Sequence, residues 1–324
     1  MTERAFWVRS AGHGEVEPVH VSQHAADEVL VRTLFSGVSR GTETLVFRGE
    51  VPESQYDAMQ APYQEGSFPA PVKYGYLNVG LVEEGPITLK GRTVFCLYPH
   101  QTRYVVPATA VTVVPDDVPA GRAILAGTVE TALNAVWDAA PMVGDRIAVV
   151  GAGMVGASVA KVLAGFPATE VQLVDSDPAK AAIAEALGVP FATPDEAVDG
   201  CDLVIHASAT EAGLVRSLEL LADDGEVIEL SWYGERRVTL PLGEWFHSRR
   251  LSIRASQVGA VAQARRGRRS YADRMAIALR LLADPGFEAL ITREFPFDEL
   301  PSVMTGLATG ELPGLCIRIS YDGR

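Results

Sequence analysis

Cysteine is scarce: Cys96, Cys201 and Cys316 are the only three in 324 residues, widely spaced and never in a CxxC pair. This excludes a disulfide framework and a structural zinc site, which needs about four clustered Cys or His ligands. Long apolar runs are missing as well. None approaches the roughly 18 residues of a membrane span, and the opening "MTERAFWVRS" has no signal-peptide core, so the expectation is a cytoplasmic chain with no membrane partner. Positive charge is in deficit, with 28 Lys and Arg against 41 Asp and Glu and a formal net charge of −13. Such a field repels polyanions, so nucleic acid is not an expected partner. One basic island, "RRGRRS" from Arg265 to Ser270, runs against that average and reads either as a solvated turn or as a small anion site.

What is present suits a well-packed chain of two domains: 48% hydrophobic and 21% charged residues over 324 positions. From Ala5 to about Val114, short apolar stretches rich in Val, Phe, Tyr and Thr are broken every ten or so residues by Gly, Pro or acidic turns, the pattern of a β-barrel or sandwich. From Ala123 apolar strands alternate with alanine-rich helices. "RIAVVGAG", "EVQLVDSD", "DLVIHASA" and "EVIELSWYG" read as strands of a parallel sheet covered on both faces. "RRVTLPL" and "RRLSIRASQ" read as later edge strands of that sheet. The tail after "LSIRASQVG" is too short to fold alone and is expected to pack on the N-terminal β domain. The fold class is therefore α/β, with residues 1–127 and 259–324 forming a β domain around a parallel-sheet domain at 128–258.

The strongest chemical signal is "RIAVVGAGMVGASVAKVLAGF", which places Gly151, Gly153 and Gly156 in GxGxxG spacing between a strand and a helix. The first glycine allows a tight turn, the second lets backbone approach a diphosphate, and the third lets helix and strand pack closely. Met154 and Val155 open the helix whose free N–H groups would receive the anion. Asp175 ends the next strand, where a carboxylate accepts both hydroxyls of an adenosine ribose and repels a 2′-phosphate. With Asp177 beside it rather than an arginine, the expected cofactor is NAD(H) rather than NADP(H).

At these residues the chain resembles the medium-chain dehydrogenase/reductase superfamily, the alcohol dehydrogenase type, over nearly its whole length. "LFSGVSRGTETLVFRG" resembles the segment carrying the first catalytic-zinc ligand, "YGYLNVGLVEEG" the turn carrying the second, and "LAGTVETALNAVW" the helix start carrying the third. "TRYVVPA" and "FPFDELPSVMTGLATGEL" are similar to further family segments. The resemblance implies a GroES-like β-barrel domain built from both chain ends and a Rossmann domain between them. It also puts Ser39, Tyr76 and Gly127 at the three ligand positions, and no four-cysteine lobe is present. A hydroxyl and a phenol do not hold Zn²⁺ at neutral pH without thiolate, imidazole or carboxylate help, so no metal is expected. "GVSRGTETLVFRG", "CLYPHQTRYVVPA" and "FHSRRLSIRASQVG" look most like the bacteriochlorophyllide a dehydrogenase-like branch, which implies a secondary alcohol/ketone pair on a bulky, possibly fused-ring substrate.

By that placement Arg40 reaches the cofactor diphosphate, and Thr131 packs against the nicotinamide or is simply a buried helix residue. Ser208, Ser231, Ser256 and Val258, at the ends of later strands, are expected near the nicotinamide. Without zinc a proton donor is required. Tyr76, Glu43, His100 and Glu130 are the catalytic candidates, with Tyr98 a further one; Tyr76 is either the donor or a plug in the lost metal pocket, and Glu43 could instead pair with Arg40. A phenol beside a cationic nicotinamide is expected to have its pKa lowered. For His100, a solvated barrel histidine is the competing reading. The "GEVPESQYDAMQAPYQEGSFPAP" segment is expected to be a lid. The edge strands imply a homodimer. Three functions follow: a zinc-independent, NAD(H)-dependent secondary alcohol/ketone oxidoreductase acting on a small molecule; an NAD(P)H-dependent reductase of activated C=C bonds; or a non-catalytic NAD(H)-binding or sensing protein.

Overall fold

A computed structural model describes residues 2–321. The chain divides into two compact units: the residues up to Gly127 together with those from Ile291 onward, and Thr128–Leu290.

In the first unit the long strand Glu28–Ser39 is the organising element. Its alternate residues Val29, Val31 and Thr33 are buried, which is the period-2 pattern of a strand with one face on a core. Antiparallel neighbours Asn78–Glu84 and Cys316–Ser320 flank it, and Arg103–Pro107 pairs with its first half. Ile291–Pro296 adds to Cys316–Ser320, while Thr93–Cys96 and Val111–Val113 extend the other side. A smaller sheet holds His13–Val19, Glu3–Ser10, Val72–Lys73 and Glu65–Gly66. The helix Arg40–Phe47 leaves directly from the end of the long strand and buries Glu43, Thr44, Val46 and Phe47. Phe47 joins Phe6, Val51, Ala61, Phe68 and Tyr74 in one core cluster. The segment expected as a lid thus anchors three of its residues in that core, and the Tyr74 hydroxyl donates to the Met59 carbonyl at 3.1 Å.

The second unit carries six parallel strands in the order Phe191–Ala192, Glu170–Val174, Arg146–Val150, Cys201–His206, Leu221–Glu229, Ser252–Ala255. This is the doubly wound third-second-first-fourth-fifth-sixth order, with its reversal between Arg146–Val150 and Cys201–His206. Ile147, Val149 and Leu173 are fully buried, as expected where helices cover both faces.

Two sequence expectations are corrected. The segment 259–290 lies in the second unit, not with the barrel, because Arg274 of the helix Tyr271–Leu281 is bonded to Glu130 and Asn134 of that unit. "RRVTLPL" forms no strand: Pro241 lacks an N–H for a ladder, and the Thr239 N–H donates to the Glu211 carboxylate instead. Ser252–Ala255 alone supplies this edge of the sheet, and Phe191–Ala192 forms the opposite one.

Leu173→Ala removes a fully buried side chain from the central parallel sheet. It is expected to cost about 2–5 kcal/mol in urea unfolding followed by circular dichroism.

Candidate functional site

The strand Arg146–Val150 ends in a turn that only glycine completes. A Cβ on Gly156 would lie 1.9 Å from the Gly151 carbonyl oxygen, so helix and turn touch through hydrogen alone. Gly153 differs, because a Cβ there would meet nothing within 4 Å. It stands as N-cap of the helix Met154–Leu163 and makes no side-chain cap, which leaves the first-turn N–H groups facing open space. The Asp175 carboxylate is fixed beside this turn: Oδ2 accepts from Ala152 N at 2.7 Å and Oδ1 from Asp177 N at 2.9 Å. Asp177 is occupied locally, its side chain capping Ala179 N at 3.0 Å. A diphosphate fits over Gly153 and the helix start, and each Asp175 oxygen keeps a lone pair for a ribose hydroxyl. The residues present therefore fit a dinucleotide.

Along the same carboxyl edge lies a network the sequence reading missed. Parallel pairing sets His206 beside Glu229. His206 is fully buried; its Nδ1 lies 2.8 Å from Glu229 Oε2 and its Nε2 2.7 Å from Ser208 Oγ. Glu229 also accepts from Ser231 N at 2.7 Å and from the Tyr233 hydroxyl at 3.1 Å. Burial favours the neutral acid, but the hydrogen bonds and charge of His206 together with the Ser231 donors outweigh it, so the Glu229 pKa is lowered. Ser208 and Ser231 thus belong to a rigid hydrogen-bonded floor. The available signal was a polar residue ending each of two adjacent apolar strands.

In the first unit, the remaining candidates gather around the start of the helix Arg40–Phe47. Glu43, 4% exposed, accepts from Ser39 N at 2.7 Å and lies 2.8 Å from His100 Nε2. His100, 1% exposed, places Nδ1 2.7 Å from Ser36 Oγ, which is 3.0 Å from the Tyr321 hydroxyl. His100 is therefore a buried link in a chain rather than a solvated barrel residue, and Glu43 pairs with it, not with Arg40. Arg40 is exposed and donates to the Gly314 carbonyl at 3.3 Å. The turn before Tyr76 requires glycine: Gly75 has φ +131°, and a Cβ there would stand 2.9 Å from the His100 ring. Tyr76 follows, half-buried, its hydroxyl bonded to the side chains of Ser39 and Thr42. Burial and the nearby charge of Glu43 push its phenol up to about 12 against those two hydrogen bonds. Tyr98 stands apart, stacked on Tyr104 with ring centroids 3.8 Å apart.

These groups do not fit zinc. Ser39 and Tyr76 are weak neutral donors, Gly127 has none and is packed so closely that a Cβ would lie 2.6 Å from Leu77, and burial holds the Cys316 thiol at about 12. Among the described residues no group of three His, Cys, Asp or Glu could hold a metal ion.

Glu130 is corrected as a catalytic candidate. Its Oε1 accepts from Arg274 Nε at 2.9 Å in a pair buried on both sides, so the carboxylate is committed to a salt bridge. Thr131, the next residue on that helix, is partly buried. The Ser256 hydroxyl donates to Asp138 Oδ2 at 2.6 Å, and the Val258 carbonyl accepts from Arg274 at 2.7 Å. Both are structural anchors in this state.

No protein-family model matches the chain, and no curated protein matches it either. Solved structures do. 2R,3R-butanediol dehydrogenase from Bacillus subtilis aligns over 99% of this chain and 100% of its own, with a TM-score of 0.80 at 17% identity. An Escherichia coli CFT073 protein described as a short chain alcohol dehydrogenase, complexed with NADH, aligns over 99% and 100% with a TM-score of 0.78 at 15% identity. A zinc-binding-type dehydrogenase from Sinorhizobium meliloti, bound to NADP, aligns over 99% of each chain with a TM-score of 0.79 at 18% identity. These likenesses establish the fold as α/β, a GroES-like β-barrel domain with a Rossmann domain.

Asp175→Ser deletes the fixed carboxylate beside the glycine turn. It is expected to raise the Kd for NADH about 10- to 100-fold, the worth of charge-assisted hydrogen bonds, read by fluorescence titration.

Proposed function

We propose that this chain is an NAD(H)-dependent oxidoreductase of the medium-chain dehydrogenase/reductase superfamily that interconverts a secondary alcohol and a ketone without zinc. The proposal rests on two observations, each within its own unit: the glycine–Asp175 dinucleotide cradle of the second, and in the first a protonated phenol, Tyr76, at the position that the resemblance assigns to a histidine ligand. A bound nicotinamide supplies the hydride acceptor or donor. The second unit holds the nucleotide: the N–H groups from Met154 onward meet the diphosphate and Asp175 the ribose, with Asp175 and Asp177 disfavouring a 2′-phosphate. Arg40 is assigned to the diphosphate.

The first unit supplies the proton. Tyr76, with a pKa raised to about 12, is protonated throughout the neutral range and can donate to a carbonyl oxygen that receives hydride on its carbon. Ser39 and Thr42 fix the direction of its O–H. Glu43, held by Ser39 N–H and His100, keeps a negative charge nearby that opposes formation of the phenolate. The arrangement favours the reductive direction, in which Tyr76 begins as the acid. The aromatic surroundings of Tyr76, with Tyr74 at 6.0 Å between ring centroids, suit a bulky substrate. No helix is long and apolar enough to cross a membrane among the described residues, and a cytoplasmic location is proposed. A homodimer is proposed through the open edge of Ser252–Ala255.

The test is turnover of NADH with a panel of bulky ketones and enones. Tyr76→Phe is expected to lower kcat for ketones about 10²- to 10⁴-fold, the usual contribution of a positioned acid, with the Kd for NADH unchanged. In the unmutated protein, ketone reduction should hold its plateau to about pH 10, where an ordinary phenol is half ionised. Reduction of enones alone, insensitive to Tyr76→Phe, would replace this reading with C=C reduction, and oxidation of NADH by no substrate would favour a sensing role.

A further inference from the structure

The segment that leaves the edge strand Ser252–Ala255 has its carbonyls captured one after another by side chains of two helices. Gln257 O accepts from Asn134 Nδ2 at 3.4 Å, Val258 O from Arg274 NH2 at 2.7 Å, Gly259 O from the Tyr271 hydroxyl at 2.8 Å, and Ala260 O from Arg274 NH1 at 3.3 Å. Asn134 Oδ1 closes the segment by accepting from Ala262 N at 3.0 Å. Arg274 is the centre of this arrangement. It is 2% exposed, and its guanidinium is set by Glu130 Oε1 at 2.9 Å and Asn134 Oδ1 at 2.6 Å, with its edge of the group spread over the Tyr271 ring at 5.3 Å. A buried guanidinium needs a carboxylate and can satisfy its other N–H groups only with fixed acceptors. Here those acceptors are the backbone of one loop.

Turning four successive carbonyls towards the helices has a consequence for the other edge of the backbone. The N–H groups of Gln257, Val258 and Gly259 enter no hydrogen bond among the described residues. They lie just beyond the carboxyl end of the sixth strand of the sheet. In a sheet of this order a dinucleotide whose adenosine is held at the second strand by Asp175 runs across the switch point towards the fourth to sixth strands.

We propose that Arg274, held by Glu130 and assisted by Asn134 and Tyr271, is a positioning residue: it pins the 257–260 carbonyls so that this loop presents its N–H edge to the amide-bearing pyridine half of the dinucleotide. The proposal rests on the dinucleotide-binding reading above. It assigns Glu130 the role of orienting Arg274 in place of proton transfer.

The experiment compares two ligands on the full-length protein by calorimetry: NADH, which has the pyridine half, and ADP-ribose, which lacks it. For Arg274→Lys, the Kd for ADP-ribose is expected to stay within about twofold of the unmutated value, while the Kd for NADH rises about tenfold, the loss of a correctly placed hydrogen bond. Tyr271→Phe, a half-exposed hydroxyl deletion that leaves the buried pair intact, is expected to give the same selective loss at about threefold. It also keeps the test sound if Arg274→Lys unfolds. Equal changes for both ligands in Tyr271→Phe, or no change for either, would overturn the proposal as a merely structural staple. If the unmutated protein binds neither NADH nor ADP-ribose, the dinucleotide reading itself falls, and the proposal falls with it.

Discussion

A carboxylate withdrawn from water must be met by hydrogen-bond donors or surrender its charge, and that constraint organises each chemical region of this protein. Glu43 is met by His100 and the Ser39 N–H, Glu229 by His206, Tyr233 and the Ser231 N–H, and Glu130 by Arg274. Each partner is then held by a further shell: Ser36 and Tyr321 behind His100, Ser208 on His206, Asn134 and the 257–260 backbone on Arg274. Every buried side-chain N or O atom among the described residues has a partner. The local order of the turn before Tyr76, of the floor beneath the parallel-sheet edge and of the loop after Ser252–Ala255 follows from satisfying those acids.

The same constraint separates what the sequence disclosed from what it concealed. The glycine turn and Asp175 were legible because their chemistry is local: a tight turn, a helix start and a strand end lie within about 25 residues of one another, and each needs a residue type that shows in the text. The strand–helix alternation of the second unit and the long strand Glu28–Ser39 were legible for the same reason, since burial periodicity is written along a single segment. Partner choice is not local. Glu130 and Arg274 are separated by 144 positions, and Glu43 and His100 by 57, so nothing in either neighbourhood marks the pair. Glu130 therefore looked like a free acid near a site, and the helix holding its partner was assigned to the wrong domain.

The positions that the resemblance assigns to metal ligands can be read in the light of this arrangement. A thiolate and an imidazole would bring cation-binding donors into the pocket beside Glu43. Ser39 and Tyr76 bring neutral hydroxyls, and the acid is instead closed off by His100. The imidazole is thus present in the region, but saturated, with Ser36 on one nitrogen and Glu43 on the other.

Tyr76 is a partly buried polar group of this region engaged by the neutral hydroxyls of Ser39 and Thr42. Its high pKa follows first from burial and then from the nearby Glu43, which is fixed by a chain reaching from the helix Arg40–Phe47 to Tyr321 near the chain's last strand. A phenol that resists ionisation is a poor base and a dependable acid: it holds its proton until a more basic oxygen, such as an alkoxide forming on a reduced ketone, is presented to it. On the proposed reading, reduction makes the fuller use of this pocket. Oxidation of an alcohol would have to begin from a phenolate that both burial and Glu43 disfavour.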